Sequence, residues 1–287
     1  MTDPSDPFVV AWSGERSTTE ADGQGYATFE VRWCNGSTES GVMHALQWTE
    51  DSSNAPASYV YGSTSATLET GTTPTVDVEL SEASVAEITG TISVPSGFPA
   101  PGLTLNQRFE DNSHDVWEDN TESIDAAVPL ISAGTATLYA ETSLGDAEVR
   151  YAHPAFTGDT DVSFELPEPP APTSPSDNTA GVDHDTEFEF EAPGGVHLVT
   201  ITLDDSDDDD GARYQIVTTS QSVTIPDVPE LPLLAGRDGT WRVETFGPFE
   251  DVDAAATEGT LFPVDTGEVG EPRFQALSAE RDLETAP

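Results

Sequence analysis

The stretches TEFEFEA (residues 186–192) and VHLVTITL (196–203) alternate apolar with polar or small side chains along their length. Neighbouring residues of a β-strand point to opposite faces, so this rhythm predicts strands with one buried and one wetter face. Nine further short segments share the rhythm and are separated by Gly, Pro, Asn or Asp, namely 27–33, 43–48, 75–80, 87–94, 136–142, 161–166, 214–219, 222–228 and 240–246. The pattern predicts an all-β chain of tandem antiparallel β-sandwich modules.

The charge of the chain is strongly one-sided. Nine Arg and no Lys stand against 54 acidic residues, which gives 9 − 54 = −45 over 287 residues. Such a surface repels nucleic acid and anionic lipid, so neither is expected as a partner. The absence of Lys also excludes a P-loop lysine, a lysine Schiff base and a Ser-Lys dyad. Salt would relieve the repulsion, since the Debye length falls to about 3 Å at 1 M, and a saline habitat fits this composition.

The chain nevertheless carries enough apolar residues to fold. Hydrophobic residues make up 36% of it and 23 Gly are added to them, which is close to the globular average. Cys34 is the only cysteine, so no intramolecular disulfide can form. No stretch approaches about 18 consecutive apolar residues, so no membrane span is expected. Residues 1–8 are acidic and proline-rich, unlike a secretory signal, which leaves open a cytosolic protein or one whose leader has been removed.

Turn formers and a proline-rich stretch divide the chain into expected units. We expect a disordered N-terminus at 1–7, a first sandwich at 8–82, a second at 86–167 and a third at 172–264. Residues 168–176 belong to a stiff proline-rich linker, because proline fixes φ and removes a backbone donor. Residues 265–287 are expected to form an acidic, frayed tail, with a short helix left open near 275–283.

Two segments resemble known bacterial sandwich families. EITGTISVPSGF (87–98) resembles the opening strand of carboxypeptidase regulatory-like, transthyretin-like modules. PTSPSDNTAGVDHDTEFEFEA (172–192) and GTWRVETF (239–246) resemble bacterial fibronectin type III-like repeats, with Phe190 in place of the usual tryptophan. The resemblance implies immunoglobulin-like sandwiches of a secreted multi-module or lipoprotein-type chain, with Trp241 and Phe190 as a core pair and a non-catalytic spacer or adhesion role.

The run LDDSDDDDGARY (203–214) is the strongest candidate for a cation site. With Gly211 at position 6 of an EF-hand loop, Ser206, Asp208 and Asp210 occupy positions 1, 3 and 5, but Val217 replaces the bidentate Glu at position 12. The flanking segments are predicted strands rather than helices, and Asp-Gly favours a hairpin turn. We therefore expect a solvated hairpin loop, with weak calcium binding by Asp207, Asp208 and Asp210 as the alternative, and no other cofactor.

Other motifs give weaker signals for chemistry. His184 and Glu187 have the H-x-x-E spacing of a zinc site, but in a strand they would face opposite sides. The chain contains neither H-E-x-x-H nor G-x-S-x-G. Among the aromatic residues, Trp33 and Trp48 end apolar-phased strands and are expected in the core. Trp117 lies in the polar stretch NSHDVWEDN and is predicted to be an exposed loop aromatic that contacts a ligand.

Three functions remain open at this point. The first is a non-enzymatic, extracellular, cell-surface or periplasmic chain that acts as a spacer or binding protein, with a protein or glycan partner. The second is a carbohydrate-binding accessory protein that uses exposed aromatics. The third is a hydrolase whose site has no recognisable motif.

Overall fold

The computed structural model describes residues 7–12, 17–21, 27–31, 36–109, 112–204, 212–227, 233, 235–257 and 273–287. Within these ranges the chain is almost entirely β-structure. The N-terminal part contains β1 (Phe8–Trp12), β2 (Ser17–Ala21), β3 (Ala27–Val31), β4 (Thr38–Glu50), β5 (Pro56–Glu69) and β6 (Ser81–Glu82). The middle part contains β7 (Ser84–Ser93), β8 (Gly102–Phe109), β9 (Asn112–Asn120), β10 (Ser123–Leu130), β11 (Thr135–Leu144), β12 (Ala147–Ala152), β13 (Thr160–Asp161) and β14 (Phe164–Glu165).

The C-terminal part contains the remaining strands and a single short helix among the described residues. These are β15 (Ala171–Ser174), β16 (Thr179–Val182), β17 (Glu187–Glu191), β18 (Val196–Leu203), β19 (Ala212–Thr218), β20 (Ser222–Thr224), β21 (Asp238–Gly247), α1 (Val252–Thr257), β22 (Arg273–Leu277) and β23 (Arg281–Thr285). Most strand pairs are antiparallel and the sheets pack face to face, so the predicted all-β sandwich class is confirmed.

The N-terminal sheet has the order β1-β4-β5-β6 and is built on the long β4–β5 hairpin. Strand periodicity separates two apolar faces. Leu46 and Tyr59 point towards the middle part of the chain, whereas Met43 and Leu68 pack on the opposite face with Trp12. A sheet that is apolar on both faces needs a cover on each side, and the strands of the middle part provide one of them.

The N-terminal sheet and the middle sandwich share one hydrophobic core. That cluster joins Leu46, Trp48 and Tyr59 to Ile88 and Leu138 of the middle strands. The Tyr59 hydroxyl donates a buried hydrogen bond of 2.9 Å to the carbonyl oxygen of Ala127. Residues on both sides of the boundary expected at 83–85 therefore pack together, and the division at that point remains a prediction.

The middle part is a sandwich of two sheets. One sheet contains β10, β7 and the short parallel strands β13 and β14, and the other has the order β9-β8-β11-β12. The core between them follows the predicted alternation, with Ile88 and Ile92 on β7 and Leu138 and Ala140 on β11 all buried. The segment EITGTISV therefore contributes to a strand, as the sequence predicts, and that strand pairs on both sides within its sheet.

The C-terminal part has its own core between the sheet β15-β17-β20 and a sheet that contains β19, β18, β21 and β23. Trp241 is fully buried and its indole meets the ring of Phe188 edge to face, with centroids 5.1 Å apart. The expected Trp241–Phe190 pair is therefore corrected: Phe190 is also buried, but its ring contacts His197 at 5.1 Å. Both phenylalanines point inwards because they are two residues apart on β17, and Phe188 is the one level with Trp241.

The C-terminal segment joins the two sandwiches, and the expectation of a frayed tail is wrong for its described residues. β22 pairs with β12 on one side and with β21 on the other, so that Ala276 lies between Val149 and Thr245. All three residues are buried. Residues 275–283 form no helix, because both open sheet edges offer backbone partners that only an extended segment can satisfy. β22 thus links β12 to β21, and the strands on its two sides form one ten-stranded sheet that contributes to both cores.

Two other sequence expectations are also revised. Residues 171–174 of the expected linker form β15, which pairs with β17 and belongs to the C-terminal sandwich. Residues 75–80 are extended but form no strand, although they alternate. They run close to β5 at Gly62, where a Cβ atom would collide with the carbonyl oxygen of Glu79.

Candidate functional site

A polar groove opens where the middle and C-terminal sandwiches share β22. It has a volume of about 410 Å³ and is lined by Ser143, Gly145, Asp146, Ala147, Glu148, Arg242, Ser278 and Glu280. Gly145 and Asp146 form the two-residue turn between β11 and β12, and Gly145 has a positive φ of 62° that suits such a turn. One wall of the groove is therefore the tip of a tight hairpin.

The opposite wall exists because the C-terminal segment breaks between β22 and β23. Up to Leu277 it pairs with both β12 and β21, and from Arg281 it no longer pairs with β12 but lies between β21 and β16. Ser278 holds the break: its amide donates to the Val243 carbonyl (2.8 Å), and its hydroxyl accepts from the Val243 amide (2.9 Å). That hydroxyl donates in turn to the Ala279 carbonyl (2.8 Å). These hydrogen bonds of Ser278 fix the start of the break against β21.

Arg242 lies opposite this break on the outer face of β21. Its neighbours Trp241 and Val243 point into the core, so strand alternation turns the guanidinium away from it. No hydrogen bond or ion pair of the Arg242 side chain is found with any residue that the structure describes. Within the described ranges, the groove therefore contains a cationic donor without a protein acceptor.

Other charged side chains beside the groove are paired. Arg150 Nε lies 3.0 Å from Glu141 Oε2 and also forms an ion pair with Glu148. The Gln275 amide donates to the Glu244 carboxylate. Asp146 and Glu280, by contrast, are exposed and have no ion pair to an arginine in the described part of the chain. Among the described residues, the groove accordingly presents two carboxylates and one guanidinium that form no ion pair.

Trp117 does not have the predicted environment. It lies in β9 rather than in a loop, and only 9% of it is exposed because it belongs to the core shared with the N-terminal sheet. The ladder between β8 and β9 shifts register between Leu105 and Asn106, which leaves Val116 as an extra residue. A β-bulge of this kind turns two consecutive side chains inwards, and both Val116 and Trp117 are buried.

The remaining sequence candidates are distributed as follows. Asp207, Asp208 and Asp210 lie outside the described residues, as does Trp33, so the calcium prediction stays a prediction. Trp48 is buried, as expected. His184 sits in a turn and its Nδ1 donates to the Ile225 carbonyl oxygen at 3.3 Å, while Glu187 is exposed on β17. Among the residues that the structure describes, no three His, Cys, Asp or Glu side chains converge as metal ligands.

Several histidines are part of the packing. His44 forms a hydrogen bond of 2.8 Å to the Tyr61 hydroxyl and stacks on Phe109 with centroids 4.9 Å apart. His197 forms a buried hydrogen bond of 2.9 Å to the Thr245 hydroxyl. Burial lowers the pKa of His197, of His153 and of His114, because it penalises the charged imidazolium. Burial therefore favours the neutral form of these last three rings.

Sequence reasoning overlooked the groove residues. Arg242 is in a strand that the sequence predicts, TWRVETF, and its outward position could have been read from the alternation. Asp146 follows Gly145 in a turn that was not singled out, and Glu280 lies in the segment expected to be a tail. Their proximity depends on the pairing of β22 with two sheets, for which the local sequence has no signal.

Comparison with known proteins adds no relative: no family model and no curated protein matches the chain. Within the described ranges, no helix has the length and apolar character needed to cross a bilayer, and α1 has six residues.

Proposed function

We propose that the chain is a non-enzymatic β-sandwich protein of the cell surface, periplasm or extracellular space that acts as a spacer or binding chain. The observation that carries this proposal is β22, which is hydrogen-bonded to β12 on one side and to β21 on the other. Sandwiches connected only by a linker move relative to each other by default. A shared strand replaces that freedom with a backbone ladder and holds a binding surface at a fixed distance and angle.

The proposal includes the resemblances to fibronectin type III-like and carboxypeptidase regulatory-like modules, and the pairing of the strands supports them. In the C-terminal sandwich, β15, β17 and β20 form a three-stranded sheet that faces β18, β19, β21 and the C-terminal strand. Fibronectin type III-like domains divide their strands between two sheets in a similar way. In the middle sandwich, residues 87–93 of the segment 87–98 lie in β7, the first strand of that part of the chain, and the resemblance to a carboxypeptidase regulatory-like module likewise makes this segment an opening strand.

The charge of the surface supports a location in contact with a saline medium. With a net charge of −45, the folded chain repels itself unless counter-ions screen its carboxylates. The same charge disfavours nucleic acid and anionic lipid as partners and leaves neutral glycans or proteins with basic patches.

Two measurements test the proposal. Small-angle X-ray scattering of the full chain should fit one fixed arrangement of the middle and C-terminal sandwiches. A profile that requires an ensemble of independent sandwiches would contradict the spacer role. Antibody labelling of intact cells that make the protein should detect it at the surface, or in the periplasmic fraction, and recovery only with cytosolic markers would contradict the location.

A carbohydrate-binding role is the second candidate, and the groove rather than Trp117 favours it. The burial of Trp117 removes most of the ring from contact with a ligand. The groove instead offers an unsatisfied guanidinium and two exposed carboxylates in a space of about 410 Å³.

A further inference from the structure

We propose that the groove lined by Arg242, Asp146 and Glu280 binds a neutral, hydroxyl-rich ligand, and that a short glycan is the class of ligand that fits it. This inference deepens the binding role of the proposed function and rests on it. The groove lies on a backbone framework that the rest of the sheet already fixes.

The hydrogen-bond donors and acceptors of the groove match those of a hydroxyl-rich ligand. The Arg242 guanidinium can only donate hydrogen bonds, and the ionised carboxylates of Asp146 and Glu280 can only accept them. A hydroxyl group does both, so one sugar hydroxyl can accept from Arg242 while a neighbouring hydroxyl donates to a carboxylate. Hydrogen bonds to charged groups are stronger than those between neutral groups, which makes these three side chains effective ligand contacts.

Charge separates this ligand class from the alternatives. An anion would meet Arg242 but would have to approach a chain of net charge −45. A simple cation would meet the carboxylates but would be opposed by Arg242 within the same groove. An apolar ligand would remove water from Arg242 and supply no acceptor, which is unfavourable for a charged group. A neutral polyhydroxylated molecule satisfies the groove without any of these costs.

Size and rigidity agree with a ligand of a few sugar units at most. The volume of about 410 Å³ lies in the range of roughly 300–1,000 Å³ that is typical of small-ligand pockets. One wall is a tight hairpin turn and the other is fixed by the three hydrogen bonds of Ser278. Binding would then require little ordering of the protein, and such pre-organisation favours affinity.

The test is titration calorimetry of the full chain with neutral disaccharides, namely cellobiose, maltose and diacetylchitobiose, and with glucuronic acid as an anionic probe. We expect at least one neutral probe to bind and glucuronic acid to bind more weakly in dilute salt. Arg242→Gln should weaken that binding at least about tenfold, because a charge-assisted donor is lost. Glu280→Gln should weaken it as well.

Arg213→Gln provides the matched control, because Arg213 is exposed on β19 of the same sheet but is not part of the groove lining. This variant should bind like the wild type. The proposal fails if no neutral probe binds, if the anionic probe binds best, or if both arginine variants lose binding equally. A scattering profile that still fits one rigid body in those cases would preserve the spacer role while rejecting the glycan site.

Discussion

Ala276→Asp is the most direct perturbation of the shared strand. Ala276 is fully buried, and its partners across the ladder are Val149 on β12 and Thr245 on β21, which are fully buried too. The new carboxyl group would face the core on the side of Val149, where an unpaired charge has no counter-ion. Leaving one charge unpaired in an interior costs about 3–5 kcal/mol. For a folding unit of about 150–250 residues, this loss of stability corresponds to a fall of roughly 6–20 °C in the midpoint of thermal unfolding.

The assay is thermal unfolding followed by circular dichroism, together with scattering at a temperature at which the variant is still folded. Ala279→Asp is the matched control, because Ala279 is exposed three residues further along the chain and carries the same substitution. We expect Ala279→Asp to stay within about 0.5 kcal/mol of the wild type, as surface changes usually do. If both variants melt alike, β22 does not lie between the two sheets as described.

The pH dependence gives a second check on the same variant. Burial raises the pKa of an introduced carboxyl group, because it penalises the charged form. The penalty is therefore largest at neutral pH and shrinks as the pH falls from the raised folded pKa through the unfolded pKa of about 3.9, below which the group is neutral in both states. The difference in stability between Ala276→Asp and the wild type should narrow over that range. A difference that stays constant would point to steric rather than electrostatic disruption.

Three further predictions concern the rest of the molecule. Tyr59→Phe removes the buried hydrogen bond to the Ala127 carbonyl and should lower the free energy of unfolding by about 1–2 kcal/mol. The control Ser58→Ala, on the exposed side of β5, should change that free energy by less than about 0.5 kcal/mol. Equal effects of the two variants in urea unfolding would refute the contact. The pKa of His197 is lowered in the folded state, so its contribution to stability is present above the unfolded pKa of about 6.5 and is lost as the pH falls. His197→Gln should therefore flatten the fall of the unfolding temperature with decreasing pH, measured by thermal melts in 1 M NaCl. Raising NaCl from 0.1 to 1 M should increase the unfolding temperature of the wild type, because the Debye length shortens from about 10 to about 3 Å. An unfolding temperature that does not change with salt would show that repulsion between carboxylates is unimportant for stability.

Local alternation predicts several strands correctly, including β18, which is buried on nearly its whole length. The segment 196–203 forms the central strand β18, and 87–94 and 136–142 correspond to β7 and β11, because each must bury one face against a second sheet. The prediction fails at 75–80, where alternation is present but the segment forms no strand. Pattern alone does not establish whether a neighbouring strand is in register to receive hydrogen bonds.

Trp117 and the C-terminal segment show what local pattern cannot contain. The stretch around Trp117 is polar because it forms the edge strand β9. The bulge opposite Leu105 and Asn106 turns the consecutive residues Val116 and Trp117 inwards, which breaks the alternation that would otherwise indicate a buried position. Residues 273–285 alternate weakly because β22 is paired on both sides and its backbone, rather than its side chains, makes the decisive contacts. Pairings between residues more than a hundred positions apart leave no mark on the periodicity of either segment.

The distribution of arginine connects the shared strand with the groove. Five of the nine arginines lie on or next to the strands that join the two sandwiches, namely Arg150, Arg237, Arg242, Arg273 and Arg281. Among them, Arg150 is held by Glu141 and Glu148, Arg273 lies 5.9 Å from the centre of the Phe249 ring, and Arg281 donates to the Pro175 carbonyl oxygen at 2.9 Å. Positive charge is thus concentrated where acidic strands of two sandwiches must approach, which offsets their repulsion.

Arg242 differs from these three, because it has the same location but no contact with the described part of the chain. Its position on the outer face, opposite the break at Ser278, adds nothing to the ladder between β21 and β22. An arginine that only offset repulsion would be expected to pair with one of the carboxylates around it, as Arg150 does. Arg242 instead lines the same open groove as Asp146, Glu148 and Glu280 without an ion pair to any of them, which is the arrangement of a donor that meets its acceptor when a ligand arrives.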